Sequence, residues 1–223
     1  MPTKKTTDTR RQKLIVLIHG IHSRLSWAES LEKQLKDAVV DDVVVKAITY
    51  NWVSAAYLLL PRCMHAGSIG SVESEIIALT ATFPEHEIHV IAHSFGTYAT
   101  LQALADNSQL RIHQLILCGA IVGRDFDLSR IERNFTIIKD NPKQRPERII
   151  NVIANRDIWP VVARATSNSY GEAGRVGLRT ALARDLVFKG SHNLFSHGSV
   201  PTKVLAPIIN RADIRTGQTT LSV

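Results

Sequence analysis

The stretch IHVIAHSFGTYAT, residues 88 to 100, holds a serine among small residues where an apolar run gives way to a helical pattern. A serine hydroxyl is a weak nucleophile until a base takes its proton, and the base must itself be oriented by a third group. Candidates for these roles occur in the order serine, acid, histidine: Ser94 in AHSFG, Asp157 in NRDIWP and His192 in GSHNLF. Such a set performs acyl transfer, with the acid fixing the tautomer of the imidazole. Each residue also has a plainer role open to it. Ser94 can cap the helix that follows it, and Asp157 can serve as a turn residue. Asp125 and Asp127 in GRDFDL compete for the acid, and His197 in SHGSV competes for the base.

The elements that would position these residues are legible from periodicity. KLIVLIHG is a continuous apolar run ending at glycine, as in a strand buried on both faces of a parallel sheet. Ser26, with Glu29 three residues on, reads as a capping box opening a helix whose apolar stripe is Trp27, Leu31, Leu35 and Val39. DVVVKAITY from Asp42, EIHVIA, QLILCGA, RIINVIAN and DLVFK are the further strands. Helical patterns occupy about 71–82, 97–106 and the region from Pro201. Strands alternating with helices give a mostly parallel sheet covered on both faces, with sites beyond the carboxyl ends of the strands. Four strand ends carry chemistry: His19-Gly20-Ile21-His22, Ala92 to Gly96, Asn155-Arg156-Asp157, and Gly190 to Asn193.

On these motifs the chain resembles the α/β-hydrolases, whose nucleophile, acid and histidine come in that order. Their nucleophile elbow is usually G-x-S-x-G; here Ala92 stands for the first glycine, a small residue where strand and helix approach closely. LIVLIHGIHSRLSWAESL resembles the family's strand, His-Gly, oxyanion loop and helix. The resemblance implies oxyanion donors at the backbone N–H groups of Ile21 and Phe95, and a structural role for His19; His22 could line the site. It implies an α/β-hydrolase-type three-layer sandwich with a mostly parallel sheet of about six strands, similar to the small, minimally capped esterases, lipases and cutinases. The implied enzyme is a serine hydrolase acting on ester bonds through Ser94, Asp157 and His192 and an acyl-enzyme, with small-molecule or lipid esters as substrates. The alternative is a non-catalytic hydrolase-fold module that binds a protein, nucleic acid or an anionic membrane.

Bulk properties narrow the choice. The 223 residues suit one domain, expected over 14–212, between a basic, disordered tail at 1–13 and a C-terminal tail at 213–223. No apolar run has the roughly 18 residues of a membrane helix, and the N-terminus lacks the apolar segment of a secretory signal, so a cytoplasmic location is expected. The net charge of +7 lies largely in the tail and in residues 139–148; it reads mainly as solvated surface. With the apolar AAYLLL at 55–60 it leaves room for peripheral membrane contact. No RNP-type aromatic motif or zinc-finger spacing supports nucleic acid as a partner. Dinucleotide and Walker signatures are missing, and the nine histidines show no recognised metal-ligand spacing. The expectation is that no cofactor and no metal are needed. Cys63 and Cys118 cannot build a disulfide framework, and Cys118 reads as a buried apolar side chain. The oligomeric state is not encoded in any of these patterns.

Overall fold

Alternate residues of a strand point to opposite faces, so an apolar run buried along its whole length needs cover on both sides. A computed structural model of the chain describes residues 12–20, 25–40, 42–48, 62–136, 147–195 and 199–210. In it, KLIVLI forms β1 (Lys13–Ile18), with all six residues buried. Leu14, Val16 and Ile18 enter one hydrophobic core, and Ile15 and Leu17 enter the other. Burial of each such side chain contributes about 1.5–3 kcal/mol, which anchors the carboxyl end of the strand.

The remaining strands are β2 (Val43–Ile48), β3 (Glu87–His93), β4 (Gln114–Cys118), β5 (Ile149–Ala154) and β6 (Arg184–Phe188). They form one six-stranded sheet in the order β2-β1-β3-β4-β5-β6, and every pairing is parallel. The chain runs from β1 out to the edge at β2 and then to β3 on the other side of β1. The order therefore reverses between β1 and β3, where Ile18 is in register with Ala92. A crevice forms beyond strand ends at such a reversal, and here it lies between His19-Gly20 and the serine turn.

One face carries α2 (Ala66–Thr82) and α3 (Phe95–Asp106), with α5 (Ala173–Val176) beside β5. The opposite face carries α1 (Leu25–Ala38) and a π-helical turn (Pro201–Leu205) running into α6 (Ala206–Ile209). The short α4 (Trp159–Thr166) follows β5. This is the three-layer sandwich expected from the sequence, with six strands. Eleven of the twelve residues of α3 are buried, because it lies over the sheet centre.

Some boundaries differ from the sequence reading. α2 begins at Ala66 rather than near Ser71, and α1 begins at Leu25, ahead of Ser26. Lys13, read with the tail, belongs to β1: its ammonium is buried and donates 2.9 Å to the carbonyl of Ile209. A cation at the carboxyl end of a helix is favoured by the helix dipole, and this contact overrides the tail-like charge pattern. AAYLLL and residues 139–146 lie outside the described residues.

Candidate active site

Ser94 stands between β3 and α3 with φ 53° and ψ −123°, the one non-glycine residue of positive φ among the described residues. Its hydroxyl makes no capping hydrogen bond to α3, so the helix-cap role does not occupy it. The strain is maintained by main-chain contacts. The Ser94 N–H donates 3.0 Å to the Cys118 carbonyl, and the Ser94 carbonyl accepts from the Thr97 N–H at 2.9 Å. The Thr97 hydroxyl adds a second bond to that carbonyl at 2.6 Å and itself accepts from the Ile121 N–H at 3.2 Å.

Two glycines permit this packing. A Cβ on Gly96 would lie 2.6 Å from the carbonyl oxygens of both Ile18 and His19, and one on Gly20 would lie 2.6 Å from the Cβ of Ser94. The β1 end and the serine turn thus pack backbone to backbone. Phe95, the first residue of α3, directly follows Ser94.

The acid and the histidine come from the ends of β5 and β6. Asp157 is fully buried, and its N–H closes a turn on the Ala154 carbonyl at 2.9 Å. Its Oδ1 accepts from the Trp159 N–H at 2.9 Å, and its Oδ2 lies 2.7 Å from His192 Nδ1. A carboxylate only accepts, so Nδ1 carries the hydrogen and Nε2 is left as the basic nitrogen. The histidine turn (His192–Phe195) is tied to the acid turn by the Arg156 N–H, which donates 3.0 Å to the Gly190 carbonyl.

His93 joins the two halves. Its ring centroid lies 4.5 Å from that of His192, and its Nε2 donates to the His192 carbonyl at 3.2 Å. Burial pushes the His93 pKa down to about 3, and the nearby His192 and His19 lower it further against that hydrogen bond. The ring is therefore neutral at ordinary pH. His19 is lowered as well, chiefly by burial, and its Nδ1 donates 2.6 Å to the Gly20 carbonyl.

The structure thus brings Asp157 and His192 into contact and seats Ser94 directly after His93, whose ring lies tilted beside that of His192. It does not bring Asp125 or Asp127 to that ring. Asp125 is exposed and faces Arg179 at 3.6 Å, while Asp127 caps the turn at 128–134 by accepting from the Ser129 N–H at 3.1 Å. His197, Ile21 and His22 lie outside the described residues. Among the described residues, no helix is long and apolar enough to cross a membrane, and no group of three or more His, Cys, Asp or Glu could hold a metal ion.

Periodicity did not single out Gly119, His93 or Thr97. Gly119 follows β4 with φ 58°, and a Cβ there would press on Asp157 Oδ2 and the Phe195 ring at 3.1 Å and on His192 Nδ1 at 3.4 Å. A glycine directly after an apolar strand was the available signal. His93 was visible as the x of the serine motif. Thr97 had no signal, since a threonine in the first turn of a helix is ordinary.

No family model and no curated protein sequence matches the chain. Solved structures do match over nearly its whole length. A highly thermostable carboxyl esterase from Bacillus coagulans superposes with a TM-score of 0.53 at 13% identity, covering 91% of this chain and 90% of the esterase. A cold-adapted esterase from an Arctic intertidal metagenomic library gives 0.53 at 15% identity, over 90% and 82% of the two chains. The chain has the α/β-hydrolase fold. An extracellular α/β-hydrolase from a Paenibacillus species shares it, with a TM-score of 0.50 at 13% identity over 91% of this chain and all of the other. At such identities the likeness is one of fold. Hydrolase-fold neighbours support the family resemblance read from AHSFG and its companions, and the chemistry has to be argued from this chain's own residues.

Proposed function

We propose that the protein is a serine hydrolase of carboxylic esters, with Ser94 as nucleophile, His192 as base and Asp157 as the residue that orients it. The observation that carries this reading is the buried Asp157 carboxylate 2.7 Å from His192 Nδ1, beside a serine turn held in a strained conformation. The 13 to 15% identity to solved esterase and α/β-hydrolase structures supports it at the level of the fold.

In the first step Ser94 Oγ attacks the ester carbonyl carbon while His192 Nε2 takes its proton. By the family resemblance, the developing oxyanion is met by the N–H groups of Phe95 and Ile21. Each such donor is worth about 3 kcal/mol of transition-state stabilisation. Collapse of the adduct breaks the bond to the alcohol, which leaves with the proton from His192. Water then gives a proton to His192 and attacks the acyl-enzyme, and that proton returns to Ser94 Oγ as the acid departs.

The test is intact-mass labelling with a fluorophosphonate, beside turnover of a short-chain p-nitrophenyl ester. Wild type should gain one adduct and the Ser94→Ala variant none. Folded wild type that remains unlabelled and inactive removes the catalytic reading and leaves a hydrolase-fold binding module.

A further inference from the structure

Beside the candidate site the outer face of α4 is apolar where a solvent-facing helix is normally polar. Ile158, Trp159, Val161 and Val162 are 62%, 43%, 37% and 42% exposed, while Pro160 and Ala163 face inward. The burial of α4 thus uses only two small residues, and four larger apolar ones point to solvent. Isolated exposed apolar side chains are common, but four within five consecutive residues form a patch.

Its position ties it to the site. Ile158 and Trp159 directly follow Asp157, whose Oδ1 accepts from the Trp159 N–H, and the Trp159 ring lies 6.0 Å from that of His192. Two exposed cations flank it, while α4's own Arg164 is paired with Glu172. Arg156 and Lys189 are exposed on turns joined by the bond from the Arg156 N–H to the Gly190 carbonyl. No ion pair among the described residues involves either of them.

We infer that the outer face of α4, with Arg156 and Lys189, is a docking surface for an anionic lipid bilayer. This deepens the ester-hydrolase reading and rests on it for the substrate class, an ester presented in lipid. An amphipathic tryptophan beside aliphatic side chains enters the headgroup boundary, and the two cations meet lipid charge. A second copy of the chain fits less well, because a two-fold contact through this patch sets its cations against themselves. The sequence-level expectation of membrane contact rested on AAYLLL and overall charge; the exposed apolar surface in the described residues is a different one.

The experiment is sedimentation of the full chain carrying Ser94→Ala with vesicles of phosphatidylcholine alone or with added phosphatidylglycerol. Binding is expected to the anionic vesicles, weakening as salt is raised. Replacing Val161 and Val162 together by Asp, or Arg156 and Lys189 together by Gln, should weaken it about tenfold or more. Quenching of tryptophan emission by brominated lipid, lost in Trp159→Phe, reports the contact at α4 itself. Absence of binding, or equal binding by the Val161/Val162 variant, overturns the inference. So does a dimer that this variant dissociates without any vesicle binding. In the Ser94-intact background the Val161/Val162 variant should keep fluorophosphonate labelling and short-ester turnover. Vesicle binding by a protein that never labels would retain the surface and reject the hydrolase reading.

Discussion

The two halves of the candidate site are held in different ways. The serine turn is fixed by backbone: Ser94 is strained, its amide and carbonyl are both bonded, and Gly20 and Gly96 let two chain segments touch. In the acid and histidine turns side chains add to the backbone bond from Arg156 to Gly190: the Asp157 carboxylate holds both His192 and the Trp159 N–H, and the His93 ring lies beside that of His192. The difference teaches where each half is vulnerable. Changes of charge or donor pattern should disable the second half while leaving the fold intact. Volume added at a glycine should damage the first half through the fold itself.

The largest expected effect is at Asp157→Asn. The Trp159 N–H selects the amide oxygen at the δ1 position, which turns the amide NH2 toward His192 Nδ1. His192 then carries its hydrogen on Nε2 and cannot accept a proton from Ser94. We expect kcat/KM for a short ester to fall about 10^3- to 10^4-fold, with the melting temperature little changed. Activity within tenfold of wild type would mean that the side-chain contact is not what orients the base.

His93 bears on the same half through pH. Its folded pKa of about 3 lies below the 6.5 of an unconstrained imidazole. Between these values the unfolded chain binds a proton that the folded chain refuses. The contribution of this group is therefore complete above pH 6.5 and is lost as pH falls toward 3. Linkage sets the loss at on the order of 4 kcal/mol, and His19, lowered in the same direction, adds to it. Urea unfolding from pH 7 to 4 should give a steep acid limb, flattened in His93→Phe. Identical limbs would remove the neutral, buried imidazole from the account.

On the backbone side, Gly96→Ala places a methyl 2.6 Å from two carbonyl oxygens, neither of which can rotate away. The end of β1 must then separate from α3, at a cost of about 2–3 kcal/mol. Unfolding midpoint and labelling rate should fall together, unlike at Asp157. An unchanged midpoint would show that the two segments have room to spare.

The same contrast explains what was legible in the sequence. The sheet was readable because each strand is an apolar run bounded by turn residues, and burial on both faces leaves no other reading for KLIVLI or IINVIA. AHSFG announced the serine turn, since small residues at fixed offsets are what a backbone-to-backbone approach demands. The second half was only partly readable: GRDFDL and NRDIWP offered competing acids, which proximity across strands separates, while of the two histidines His197 lies outside the described residues. Gly119, which lies under the Asp157–His192 contact, and the ring contact of His93 depend on strand order. Local periodicity carries no such information. The apolar outer face of α4 was hidden for the converse reason, because an apolar cluster in sequence normally means burial.

The smallest expected effect lies at the joint between serine turn and sheet. The Thr97 hydroxyl donates to the Ser94 carbonyl and accepts from the buried Ile121 N–H. Thr97→Val keeps the shape but leaves that N–H without its acceptor, costing about 1–2 kcal/mol. The Ser94 carbonyl retains the Thr97 N–H, so the turn should loosen rather than open, and labelling should slow by a few-fold. Thr97→Ser restores the hydroxyl and should recover the labelling rate even if it loses some stability with the methyl group. If Val and Ser label alike, the hydroxyl serves stability alone, and the strain at Ser94 is maintained by the backbone contacts and glycines without help from a side chain.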